Sequence, residues 1–189
     1  MKYFFTAFFL LFSSFSFASD NTLRVIGIEV NENTSRDELR SKVNAAGAVV
    51  IREDDRFWSD KYDIKNSVKN GDILELTYSI RTKKLADAKI YFEGGMSSHF
   101  THAVYESLLE KMGKPQKNEY YRDKQTNLYH GFDINWSNED QSAYLVGTAA
   151  RGIVVNFAFV ANQRIVNSEM EENSRLKKQR AARQVNSIF

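Results

Sequence analysis

The chain contains no cysteine and a single proline, Pro115, in 189 residues. Without cysteine there are no disulfides, thiolate metal sites, cysteine nucleophile or thioether-linked lipid. No glycine-rich phosphate loop is present, since Gly94-Gly95 lacks the lysine and the spacing such a loop needs. The formal charge is only +2, with 26 basic and 24 acidic residues, which argues against a dedicated nucleic-acid binder. A 42% hydrophobic share with 26% charged residues excludes a wholly disordered or fibrous chain and suits one compact domain or two very small ones.

What is there begins with an address. Lys2 precedes the apolar stretch from Phe4 to Phe12, and Ser16-Phe17-Ala18 follows with small residues at positions suited to a signal peptidase. This is the pattern of a secretory leader cleaved after Ala18. The stretch is shorter than the roughly 18 apolar residues that a membrane span needs. Seven of the fourteen phenylalanines lie in residues 1–18, so the remainder is much less aromatic. A periplasmic or secreted product is expected, and burial of apolar surface must hold it together because no disulfide can.

Beyond the leader, Leu23 to Val30 reads as a strand. Ser35 caps a helix with Glu38 three residues on, Leu39, Val43 and Ala46 give it a narrow apolar face, and Gly47 ends it. Ala48 to Ile51 reads as a short buried strand and Arg52 to Asp63 as a loop. Asn70-Gly71-Asp72 marks a turn. Leu74, Leu76, Tyr78 and Ile80 alternate with polar residues as in a half-buried strand, and Leu85 to Phe92 is another strand. Ser97 and Ser98 can cap a second helix with Phe100, Val104, Leu108 and Met112 on one face, ended by Gly113 and Pro115. Strands are expected near Leu128–Trp136, Ser142–Thr148 and Gly152–Val160. A third helix is expected from a capping box at Ser168 and Glu171, with acids early and bases late to suit the helix dipole.

The fold expected is α+β: two α-β-β-β units (19–95 and 96–162) in one antiparallel sheet with the helices on one face, then a charged helical or flexible tail over 163–189. The segment Leu108-Leu109-Glu110-Lys111-Met112-Gly113-Lys114-Pro115, followed by a strand meander, resembles the helix-plus-meander module of the small lipoproteins of the β-barrel assembly machine. It is also similar to the tandem modules of the β-lactamase inhibitor proteins. Those are binding scaffolds without catalysis, which is what the resemblance implies here; unlike either, this chain has no cysteine.

Catalytic and metal-binding patterns do not assemble. His99, His102 and Glu106 share helical spacing but lack the paired-histidine signature of zinc proteases. Ser97-Ser98-His99 lacks the glycine two residues after the serine that a nucleophile elbow requires, and capping explains the serines. No catalytic residue, metal or cofactor is expected. The loop Arg52–Asp63 holds four Asp and one Glu, but not the glycine and terminal glutamate of a helix-loop-helix calcium site. Its mixture of arginine and aromatics makes Arg56, Phe57, Trp58 and Tyr62 the expected contacts for a protein partner in the envelope. Tyr120, Tyr121, Tyr129 and Trp136 can line a sheet face for a small apolar or glycan ligand. The run Arg175, Lys177, Lys178, Arg180 and Arg183 can meet a membrane surface weakly. The function expected is thus a non-enzymatic exported binding module, an accessory or an inhibitor, with a periplasmic ligand carrier as the alternative.

Overall fold

A computed structural model describes residues 23–25, 27–64, 72–92, 98–122, 129–148 and 152–186. The expected leader therefore lies outside the described residues, as do the turn at Asn70-Gly71 and the serine cap at Ser97.

The expected strand Leu23–Val30 is folded on itself. β1 (Leu23–Val25) and β2 (Ile28–Val30) form an antiparallel hairpin. Gly27 sits between them at φ +82, a conformation L side chains rarely adopt. Helix α1 (Arg36–Ala45) starts at Ser35, whose hydroxyl accepts the Glu38 amide. It ends before Gly47 at φ +83, as the sequence predicted. Four strands follow: β3 (Val49–Arg52), β4 (Ser59–Asp63), β5 (Ile73–Tyr78) and β6 (Leu85–Phe92). Helix α2 (Ser98–Met112) opens a second round with β7 (Lys117–Arg122), β8 (Tyr129–Ser137), β9 (Gln141–Thr148) and β10 (Gly152–Phe159). A long helix, α3 (Val160–Asn186), completes the described chain.

The eight longer strands make one antiparallel sheet in the order β3-β4-β5-β6-β10-β9-β8-β7. The architecture is α+β, a helix followed by an antiparallel meander, used twice. The two meanders run in opposite directions across the sheet and meet where β6 pairs with β10. Each contains four strands, one more than the expected three.

Alternation sorts the residues of each strand onto two faces. Leu74, Leu76, Ile90, Val155, Leu145, Ile134 and Trp136 point to one side and join Leu39 and Val43 of α1 and Val104 and Leu108 of α2 in a single core. Burying each large aliphatic side chain contributes about 1.5–3 kcal/mol, and with no cysteine in the chain this burial stands where disulfides cannot. The opposite face is polar. One row crosses seven strands as Lys61, Glu75, Lys89, Asn156, Tyr144, Asn135 and Lys117. An antiparallel sheet tolerates one polar face in this way, and here Asn156 and Asp87 on it are buried.

Two expectations are corrected. Residues 59–63 are a strand, because Asp60 turns inward and is neutralised there. Helix α3 begins at Val160, so Ser168 and Glu171 lie inside it and form no capping box at its start.

Candidate partner-binding edge and its support

The sheet's first edge carries the largest departure from the sequence reading. β3 was expected to be buried, yet Val49, Val50 and Ile51 are 39%, 46% and 53% exposed. Among the described residues the strand pairs with β4 alone, and its register shifts between Val50 and Arg52. Its outer side is thus a strand edge that no described strand covers, bearing apolar side chains. The chain then enters the loop 53–58, where Phe57 is 46% exposed. The Arg52 guanidinium lies 4.9 Å from the Phe57 ring centroid, placing that ring beside the end of β3.

The loop is held from beneath by a buried charge cluster. Arg36, the first residue of α1, is 1% exposed, and Asp60 on β4 is completely buried. Arg36 donates from Nε and Nη2 to the two Asp60 carboxylate oxygens at 3.1 and 2.6 Å. Arg40, one turn later, donates to the same oxygens at 2.9 and 3.0 Å. Burial alone would raise the Asp60 pKa; the hydrogen bonds from both arginines outweigh it and hold the carboxyl below its ordinary value. Arg36 also donates to the Phe57 and Asp54 carbonyls, both at 3.0 Å, and its guanidinium lies 5.0 Å from the Tyr78 ring centroid. A planar fork with five donors suits this task, which a lysine could not perform.

The upper side of the loop is tied as well. The Phe57 amide donates to the Asp54 carbonyl at 3.0 Å. Arg56 donates to both Asp54 carboxylate oxygens and holds that carboxyl down at about 2. Trp58 donates from its indole nitrogen to Glu169 of α3 at 3.1 Å. Glu169, 6% exposed, also accepts from the Ser79 hydroxyl at 2.6 Å and from the Ile80 and Arg81 amides at 2.9 and 3.1 Å. Burial would raise the pKa of Glu169, but these donors lower it below the ordinary glutamate value. The helix is thus latched across the β5–β6 turn and the start of β4 by one carboxylate.

Of the residues expected to contact a partner, Arg56 and Phe57 are at the surface, and Trp58 is half-buried in the latch. Tyr62 is completely buried and donates to Glu53 at 2.9 Å, so it supports the loop from within. Of the expected ligand-binding set, Tyr120 and Tyr121 are exposed, but consecutive strand residues face opposite sides. Trp136 is 1% exposed, lies 5.9 Å from Tyr105 between ring centroids, and donates to the Gly113 carbonyl at 2.9 Å. It is a core residue, so the structure does not bring that set together; the Tyr129 side chain is outside the described residues.

The polar face includes buried groups. Asp87 and Asn156 each keep one oxygen without a hydrogen-bond partner, and both oxygens are sealed from solvent. Glu75 accepts from Ser59 and Tyr91, each at 2.9 Å. His102 and Glu106 are 3.8 Å apart and well exposed. Among the described residues no group of three or more His, Asp or Glu side chains could hold a metal ion. No described helix is long and apolar enough to cross a membrane.

Sequence reasoning missed Val49–Ile51 as surface residues, Arg36–Asp60 as the loop's foundation and Glu169 as a latch. The only local signal was for Asp60: in Ser59–Asp63, Asp60 and Tyr62 alternate with Ser59, Lys61 and Asp63. No protein-family model matches this chain, and neither a curated protein nor a solved structure matches it.

Proposed function

We propose that this chain is a non-enzymatic exported binding module that takes a protein partner in the cell envelope on its β3 edge and the adjoining loop. The observation that carries this reading is the set Val49, Val50, Ile51 and Phe57, each 39–53% exposed, on a scaffold made rigid by Arg36 and Asp60. An unpaired apolar strand invites an extended segment of another chain to add to the sheet. Main-chain hydrogen bonds would give the affinity, and Phe57 with the Arg52 guanidinium would give a central anchor. A loop already ordered loses little entropy on binding, which favours a fixed recognition surface.

The test is crosslinked capture from envelope extract with C-terminally tagged protein, comparing wild type with Ile51→Lys and Phe57→Ala. Aromatic anchors commonly carry 2 kcal/mol or more, so about a thirtyfold loss of affinity is expected for Phe57→Ala. Both variants should melt at the wild-type temperature. Undiminished capture by both variants would overturn the reading, and a co-purifying small molecule without protein would favour the carrier alternative.

A further inference from the structure

Helix α3 has two parts with different surroundings. As far as Glu172 it is bound to the body: Asn162 donates to the Glu32 and Leu85 carbonyls, Val166 is buried, Glu169 forms the latch and Glu172 pairs with Arg81. From Ser174 to Gln184 every residue is exposed. Residues 173–186 therefore project from the body by about 20 Å at the α-helical rise.

Charge divides at the same place. The projecting part holds Arg175, Lys177, Lys178, Arg180 and Arg183, and no acid. The whole chain is only +2, so everything outside this arm is net negative. No ion pair joins any of the five bases to another described residue. Three like-charge pairs stand three residues apart, Arg175 with Lys178, Lys177 with Arg180, and Arg180 with Arg183. Such pairs destabilise an isolated helix, and the exposed side chains of this stretch bury little apolar surface to offset them. An external anionic surface would remove that repulsion.

We infer that residues 173–186 form an electrostatic docking arm for an anionic lipid surface. At about 100° per residue the five bases are spread around the helix, so no single stripe matches the groove of a duplex. The arm has no aromatic residue to stack on nucleobases. What remains is attraction to a field of phosphates, which needs no complementary shape. Leu176, 40% exposed, adds an apolar contact, but the lack of a wide apolar face keeps the association peripheral and reversible. The latch at Glu169 fixes where the arm leaves the body, so the arm would set how the β3 edge is held relative to the surface.

The experiment is co-sedimentation of residues 19–189 with vesicles of phosphatidylcholine alone or mixed with phosphatidylglycerol. Binding is expected only to the mixed vesicles. It should weaken steeply as salt rises from about 0.01 to 0.15 M, where the screening length falls from about 30 to about 8 Å. Each base near such a surface is worth about fivefold in partitioning, so Lys177→Gln/Lys178→Gln/Arg180→Gln should lose about a hundredfold. Equal binding to neutral vesicles, or undiminished binding by the triple variant, would overturn the proposal. So would retention of duplex DNA without vesicle binding. Phe57→Ala should bind vesicles normally, which separates this arm from the partner-binding edge.

Discussion

The two helix-meander units share a topology and a common apolar core, but the first unit adds a buried ion cluster to it. Beneath α1, β4 turns Asp60 and Tyr62 inward, and two arginines from the helix close on the carboxylate. Beneath α2, β8 turns Phe132, Ile134 and Trp136 inward, and the Trp136 indole donates to the Gly113 carbonyl. Apolar packing holds both interiors. The ion cluster added in the first is poor value for stability alone because desolvation opposes it. What the cluster supplies is position: the same Arg36 that binds Asp60 grips two carbonyls of the loop above. The unit with ionic support is the one that bears the exposed apolar edge.

The contrast can be broken most severely at its ionic centre. Asp60→Ala leaves Arg36 and Arg40 with the exposed Asp55 carboxylate but without the buried one they share, and should destabilise the fold by about 3–5 kcal/mol in urea unfolding. Replacing Arg36 by Met and Asp60 by Leu together should recover most of that loss while loosening the 53–58 loop, visible as faster amide exchange at Phe57. If the double variant keeps the loop protected, the positioning role is wrong.

The packed unit should respond to volume instead. A Cβ added at Gly147 would lie 2.3 Å from Phe132 Cζ, a ring that is itself buried. Gly147→Ala should therefore cost about 1–3 kcal/mol through overpacking, with little dependence on pH. A similar magnitude, about 1–3 kcal/mol, is expected for Glu169→Ala, which strands the donors of Ser79 and Trp58. Its distinguishing sign would be rapid exchange confined to the first turns of α3 and the β5–β6 turn.

Acid sharpens the same comparison. Asp60, Glu169 and Asp54 all have folded-state pKa values below their ordinary ones. Their stabilisation is complete above the unfolded values of 3.8 and 4.5 and is lost as pH falls through the depressed ones. Asp87, raised by burial, acts in the opposite sense and gives back some stability in acid. The melting temperature should fall below about pH 4, and the Arg36→Met/Asp60→Leu variant should fall less steeply. The smallest effect belongs to Arg56→Ala. Its side chain is 86% exposed, so the melting temperature should hardly change, whatever happens to partner capture.

Legibility followed locality. The cap at Ser35, the glycine after α1 and the alternation in β5 depend on neighbours within a few residues and were readable. β4 was not, because an inward aspartate contradicts the apolar alternation unless its partner, 24 residues away, is known. The start of α3 was hidden because β10 passes into it between Phe159 and Val160 without a glycine, a proline or a capping residue. The exposure of β3 was unreadable because Val-Val-Ile spells the same strand at an edge as in the middle of a sheet.

By itself the sequence determined most of the element types, the α+β class, the repetition of a helix and meander, and the concentration of bases near the end of the chain. These rest on short-range preferences and on composition, which any window of the chain already contains. Only the tertiary structure decided that β6 meets β10, that β3 is left at the rim, that Arg36 reaches Asp60 beneath the loop and that Glu169 ties α3 to Trp58. Strand order and long-range ion pairs are chosen by the packing of the whole sheet, since one apolar face must be buried against both helices at once, and no local segment carries that condition.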